Sequence, residues 1–165
     1  MDKEFDLKPE IKIMKKKILV GLKLEMNATD NKTGLLWRGF MMRRKEINST
    51  DSFLYSLQKY PPDYFTFYNP ETGFTKWAAA EVAEDAIVPD DMEKLIIDAG
   101  VYAVFQFKGN AENAGAFFQF IFTEWLPRSE FQLDERLHFE VLGDRYKNDD
   151  PGSEEEVWVP VKYKG

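Results

Sequence analysis

Two carboxylates and two tryptophans fall at alternate positions of short runs that read as β-strands, a pattern able to hold an organic cation. In "TKWAAAEV" (75–82), side chains two apart share a side, so Trp77, Ala79 and Glu81 stand together and Ala78, Ala80 and Val82 face away. In "HFEVL" and "EVWVPVKY" the apolar set Phe139, Val141, Val157, Val159 and Val161 reads as one core face. That leaves His138, Glu140, Leu142, Trp158 and Lys162 opposite. If the opposite faces of the two halves meet, they form a cleft lined by Glu140, Glu81, Trp158, Trp77, Ala79 and His138. Aromatic walls with a few polar groups are the usual make-up of a ligand pocket. Each good cation–π contact adds roughly 0.5–2 kcal/mol. A carboxylate buried without a partner costs free energy and its pKa rises, a cost that a bound cation removes. Ala79 would keep floor space clear between Trp77 and Glu81. The same two carboxylates, Glu140 and Glu81, are the candidate catalytic pair if the cleft activates water instead.

Other chemistries lack their residues. The chain has no cysteine, so thiol nucleophiles, thiolate metal sites and disulfides are absent. His138 is its one histidine, which excludes multi-histidine metal sites and leaves a single-imidazole haem ligand as a remote option, so no metal or cofactor is expected. Ser129 and Ser153 have no nucleophile-elbow sequence around them, and "GVYAVFQFKG" lacks the spacing of a phosphate-binding glycine loop.

The elements that position these residues repeat. "KILVGLKLEM" (17–26) alternates as a half-buried strand, and "LLWRGFMMRRKEI" has near-helical spacing with Thr33 as its cap. "DSFLYSLQKY" and "FTKWAAAEVAE" read as strands, and the proline-bearing acidic stretch "DAIVPDDMEKLIIDAG" as a link. The order then recurs: strand "VYAVFQFKG", a helix from "NAENAG" to Leu126 stopped by Pro127, strand "RLHFEVLGDRY", turn "KNDDPGSEE" and strand "EVWVPVKY". The helix phenylalanines Phe117, Phe118, Phe120 and Phe122 are mostly core, with Phe118 bordering the cleft. The expected fold is α+β in one domain over 1–165: a tandem strand-helix-strand-strand repeat, about 12–84 and about 98–164, with pseudo-two-fold symmetry around a central cleft.

Charge is uneven. Residues 1–46 hold twelve Lys and Arg against seven Asp and Glu, leaving ten against twenty-two in the remainder, within a net −7. The acidic majority argues against direct nucleic-acid binding, which depends on neutralising phosphates. The N-terminus lacks the apolar run of a signal peptide and no window approaches a membrane span, so a cytoplasmic protein without membrane contact is expected.

"AGVYAVFQFKG", "FTEWLPRSEFQL", "HFEVLGDRY" and "EEEVWVPVK" together resemble the GyrI-like family, the effector-binding domains also attached to AraC-type and MerR-type transcription regulators. The match covers about 98–162 and is thinner upstream. The resemblance implies the tandem fold, and places the glutamate that family members use for hydrophobic cations on Glu140, with the aromatic of the last strand on Trp158. Here only about a dozen residues precede the first strand, too few for a helix-turn-helix, so a stand-alone binder of a hydrophobic, cationic small molecule is the leading expectation. The resemblance also implies two others: a hydrolase of cyclopropanoid natural products, and a gyrase-inhibitor-like module with a protein partner.

Overall fold

The computed structural model describes residues 8–109, 111–143 and 154–165, with residues 111–113 by backbone only. The elements are β1 (Glu10–Met14), β2 (Lys17–Met26), α1 (Thr33–Arg43), β3 (Leu54–Lys59), β4 (Phe74–Glu81), β5 (Glu93–Ile97), β6 (Gly100–Lys108), α2 (Ala111–Phe120), β7 (Phe131–Leu133), β8 (His138–Leu142) and β9 (Glu154–Tyr163). The two strand-helix-strand-strand units are β2-α1-β3-β4 and β6-α2-β8-β9, within an α+β fold. The expected turn "KNDDPGSEE" lies mostly outside the described residues, as do the end of the "RLHFEVLGDRY" strand and the start of its helix.

The strand order β1-β6-β9-β8-β3-β4-β2-β5 places β3 beside β8 at the centre, so the halves join through one antiparallel ladder. Three strands were not expected from the sequence, among them β7, which pairs with β9. β1 lies in the charged N-terminal segment and pairs with β6; β5 lies in the supposed link and pairs with β2. Each is the lead-in to one half and completes the other. Met14 faces Gly100 and Lys17 faces Ile97, so the register runs on across the breaks at 15–16 and 98–99. Two-residue breaks reach only about 10 Å. The two ends of the sheet therefore meet as one ribbon, and the sheet curls into a flattened ring.

This closure creates an interior face as well as an exterior one. Inside pack Met14, Leu19, Tyr55, Leu57, Trp77, Ala79, Ile97, Tyr102, Val104 and Phe139, drawn from both ends of the sheet and its centre. Outside, α1 lays Leu36 and Phe40 on Val20, Ala78 and Ala80, while α2 lays Phe117 on Ala103, Phe105, Val157 and Val159. Burying a side chain of this size contributes about 1.5–3 kcal/mol. Small residues mark a close approach of β2 and β4: a Cβ built on Gly21 would lie 2.7 Å from Ala79 Cα and collide with the Ala78 carbonyl.

Both helices depart from expectation at an end. Thr33 is the first helical residue of α1 rather than its cap, and its N–H donates to Asn31 Oδ1 at 2.9 Å. α2 does not stop before Pro127: it widens into a π-helical turn, Ile121–Trp125, and runs on through Leu126–Arg128 with Pro127 inside that last turn. A proline supplies no N–H to the carbonyl four residues back, and a widened turn accommodates that loss. Among the described residues no helix is long and apolar enough to cross a membrane.

Candidate functional site

Cross-strand partners share a face, so the registers of β8 decide which candidate residues can meet. Glu140 faces Ser56 on β3 and Val157 on β9, whereas Phe139 faces Leu57 and Trp158. Glu140 therefore lies on the exterior with the valines of β9, and Trp158 lies on the interior with Phe139, the reverse of the expected pairing. Trp77, Ala79 and Glu81 also face the interior. The six expected cleft residues are thus split by the sheet: Glu140 and His138 on one side, Trp158, Trp77, Ala79 and Glu81 on the other. The expected catalytic pair, Glu140 with Glu81, has a sheet between its members.

On the interior side three of the four residues neighbour lysines. Glu81 Oε1 accepts from Lys17 Nζ and from the Tyr55 hydroxyl, each at 3.2 Å. Lys23 Nζ stands 5.5 Å from the Trp77 ring centroid and Lys12 Nζ 5.7 Å from that of Trp158. Trp158 stacks on Phe139 at 5.2 Å and donates its indole N–H to Glu156 at 3.0 Å. Ala79 is fully buried beneath them and opens no floor.

On the exterior, in the centre of the sheet, the strands bring together a polar group inside an apolar molecule. Across β8, β3 and β4 run His138 and Glu140, then Gln58 and Ser56, then Lys76. Gln58 Nε2 donates to Glu140 Oε1 at 3.2 Å and to Ser56 Oγ at 3.3 Å. Glu140 is 9% exposed. Desolvation pushes its pKa up, against the pull of Lys76 and the hydrogen bonds from Gln58 and Ser56. Glu155, at the end of β9, is pushed up to about 8 by burial and by the Glu140 carboxylate, with Lys76 opposing. Burial lowers Lys76, and the two glutamates raise it in part. His138 is held down to about 3, chiefly by burial, and is neutral at any physiological pH.

One side of this group is walled by aromatics from the connection between β3 and β4. Tyr60 packs edge-on against His138 at 4.9 Å, and Phe65 stacks on Phe122 at 4.1 Å. Phe122 itself lies 6.0 Å from His138. The residue of the second helix that reaches the wall is thus Phe122, in the π-helical turn; Phe118, one turn earlier, packs against Phe117 in the α2 core. A groove of about 720 Å³ opens beside the wall, bordered by Tyr60, Tyr64, Phe65, Phe122 and His138. Tyr60 is pushed up by burial and by the charge of Glu140, so the wall stands within the field of the carboxylate.

Sequence reasoning missed Lys76, Glu155, Gln58, Ser56 and the Tyr60–Phe65 wall. Lys76 falls in the expected strand "FTKWAAAEVAE" and Glu155 at the end of the expected turn "KNDDPGSEE", while Tyr60 ends the expected strand "DSFLYSLQKY" and "PPDYFTFYNPETG" reads as a turn-rich connection. Among the described residues no three His, Asp or Glu side chains converge to hold a metal ion.

The sequence profile of one family, described as the GyrI-like small molecule binding domain, matches residues 7–162. The transcriptional regulator BrlR of Pseudomonas aeruginosa is 27% identical over 147 residues, which are 87% of this chain and 51% of BrlR. The chain thus spans about half the length of that curated relative. The EcmrR C-terminal domain superposes with a TM-score of 0.71 at 12% identity, covering 96% of this chain and 99% of that one. SAV2435, solved bound to tetraphenylphosphonium, gives 0.64 at 16% identity, covering 94% of each chain.

Proposed function

The chain belongs to the GyrI-like small-molecule-binding family, and from that premise we propose that it holds a hydrophobic organic cation against Glu140, between the halves of the sheet. The observation that carries the reading is Glu140 itself. It is a buried carboxylate whose near partners are neutral, Gln58 and Ser56, with the nearest cation on a strand two away. Such a group is poorly compensated when the site is empty and gains an ion partner when a cation arrives. The tyrosine and phenylalanine wall beside His138 supplies ring faces to the same ligand. That a relative of this fold binds tetraphenylphosphonium supports a lipophilic cation as the ligand class.

Titration calorimetry with tetraphenylphosphonium tests the assignment. Wild type should bind it saturably, and Glu140→Gln should weaken binding by roughly 2 kcal/mol, about thirtyfold. Equal affinity in the two proteins would remove Glu140 from the site.

A further inference from the structure

The site contains a positive group of its own, and that narrows what it can take. Lys76 projects from β4 on the face that carries Glu140, with Gln58 of β3 between the two columns. Neighbouring strands lie about 4.8 Å apart, so the two backbones stand about 10 Å apart across β3. The lysine ammonium donates to the Thr33 hydroxyl at 3.3 Å, and among the described residues it makes no ion pair. An ammonium has three donors, so one neutral protein partner leaves this half-buried group free to hold an acceptor. Thr33 is the first residue of α1, so the helix dipole adds to the positive character there.

We infer that the ligand of this site is a zwitterion: an aromatic organic cation that also carries a carboxylate or comparable anionic acceptor, its positive part held by Glu140 and its acceptor by Lys76. This rests on the cation-binding reading given above and goes beyond it in one respect. A purely cationic ligand satisfies Glu140 but meets repulsion from Lys76, whereas a zwitterion spanning β3 gives Glu140 and Lys76 each a charged partner. Lys76 is then a specificity-determining residue, selecting for the acceptor.

A pair of dyes separates the two ideas. Rhodamine 110 carries a free carboxylate beside its cationic ring system, and rhodamine 123 is its methyl ester, a cation without the anion. Fluorescence polarisation titrations of both dyes with wild type, Lys76→Met and Glu140→Gln give the comparison. Wild type should bind rhodamine 110 at least tenfold more tightly than rhodamine 123, against the bias of an acidic protein for the more cationic dye. Lys76→Met should abolish or reverse that preference by weakening rhodamine 110 alone, and Glu140→Gln should weaken both dyes. Lys76→Gln serves as the second variant if Lys76→Met does not fold, and the wild-type comparison stands without either. Wild type binding rhodamine 123 as tightly as rhodamine 110 overturns the inference while leaving the cation reading in place. A preference for rhodamine 110 that survives in both lysine variants also overturns it. Binding of neither dye overturns both.

Discussion

Glu155 turns the electrostatics of the site into a measurable stability. Its folded pKa, about 8, lies above the ordinary 4.5, so the folded chain keeps a proton that the unfolded chain gives up. The stability it contributes is therefore full below about pH 4.5 and is lost as pH rises to about 8. His138 acts in the opposite sense on the acid side: its folded value near 3 lies below the ordinary 6.5, so its contribution is lost as pH falls from about 6.5 to 3. Comparing wild type with Glu155→Gln isolates the first effect. Between pH 5 and 8 wild type should lose roughly 2 kcal/mol relative to the variant, about half the full linkage because water still reaches the carboxyl. Urea unfolding at the two pH values measures it, and parallel pH profiles would place Glu155 in solvent.

At the scale of the element, β4 shows how a strand can defeat a reading by parity. Alternation in "TKWAAAEV" correctly separates Trp77, Ala79 and Glu81 from Ala78 and Ala80. It does not single out one face as an open cleft, because both sides of this strand are packed: one under α1, the other inside the ring. The alanines belong to the close approach of β2 and β4 at Gly21 rather than to an open floor. Ala79→Phe and Ala80→Phe should accordingly both destabilise, each by roughly 1–3 kcal/mol from overpacking, as read by thermal melting. An Ala79→Phe protein that melts like wild type yet loses its ligand would restore Ala79 to a cleft.

At the scale of the whole molecule, the ring has a seam at Arg136, in the segment between β7 and β8. There the ladder of β9 with β6 ends at Pro160 and Tyr102, and its ladder with β7 begins at Val161 and Leu133. Arg136 Nη2 donates to the carbonyls of Val101 and Val161 at 2.7 and 3.1 Å, its Nε donates to Asp134 at 2.8 Å, and its guanidinium stacks on Tyr102 at 4.7 Å. The glycine at 100 makes room for it, since a Cβ there would collide with Nη1. Arg136→Met should cost roughly 2–4 kcal/mol in urea unfolding, because it strands two buried carbonyls and the Asp134 carboxylate. A cost below about 0.5 kcal/mol would mean that the ring closes without it. The sequence by itself determined the α+β class, the duplicated strand-helix-strand-strand order and the placing of β2, β3, β4, β6 and β9, because each of these is written in local alternation of apolar residues. It also made Glu140 a candidate, first by strand parity and then by the resemblance of its strand. The tertiary structure decided the rest: β1 and β5 become strands by pairing with residues 86–94 and 72–80 positions away, and the faces of β8 and β9 are assigned by register. Once a curled sheet has a core on both sides, hydrophobic alternation no longer says which side is which; only the ladder that joins Glu140 to Ser56 does.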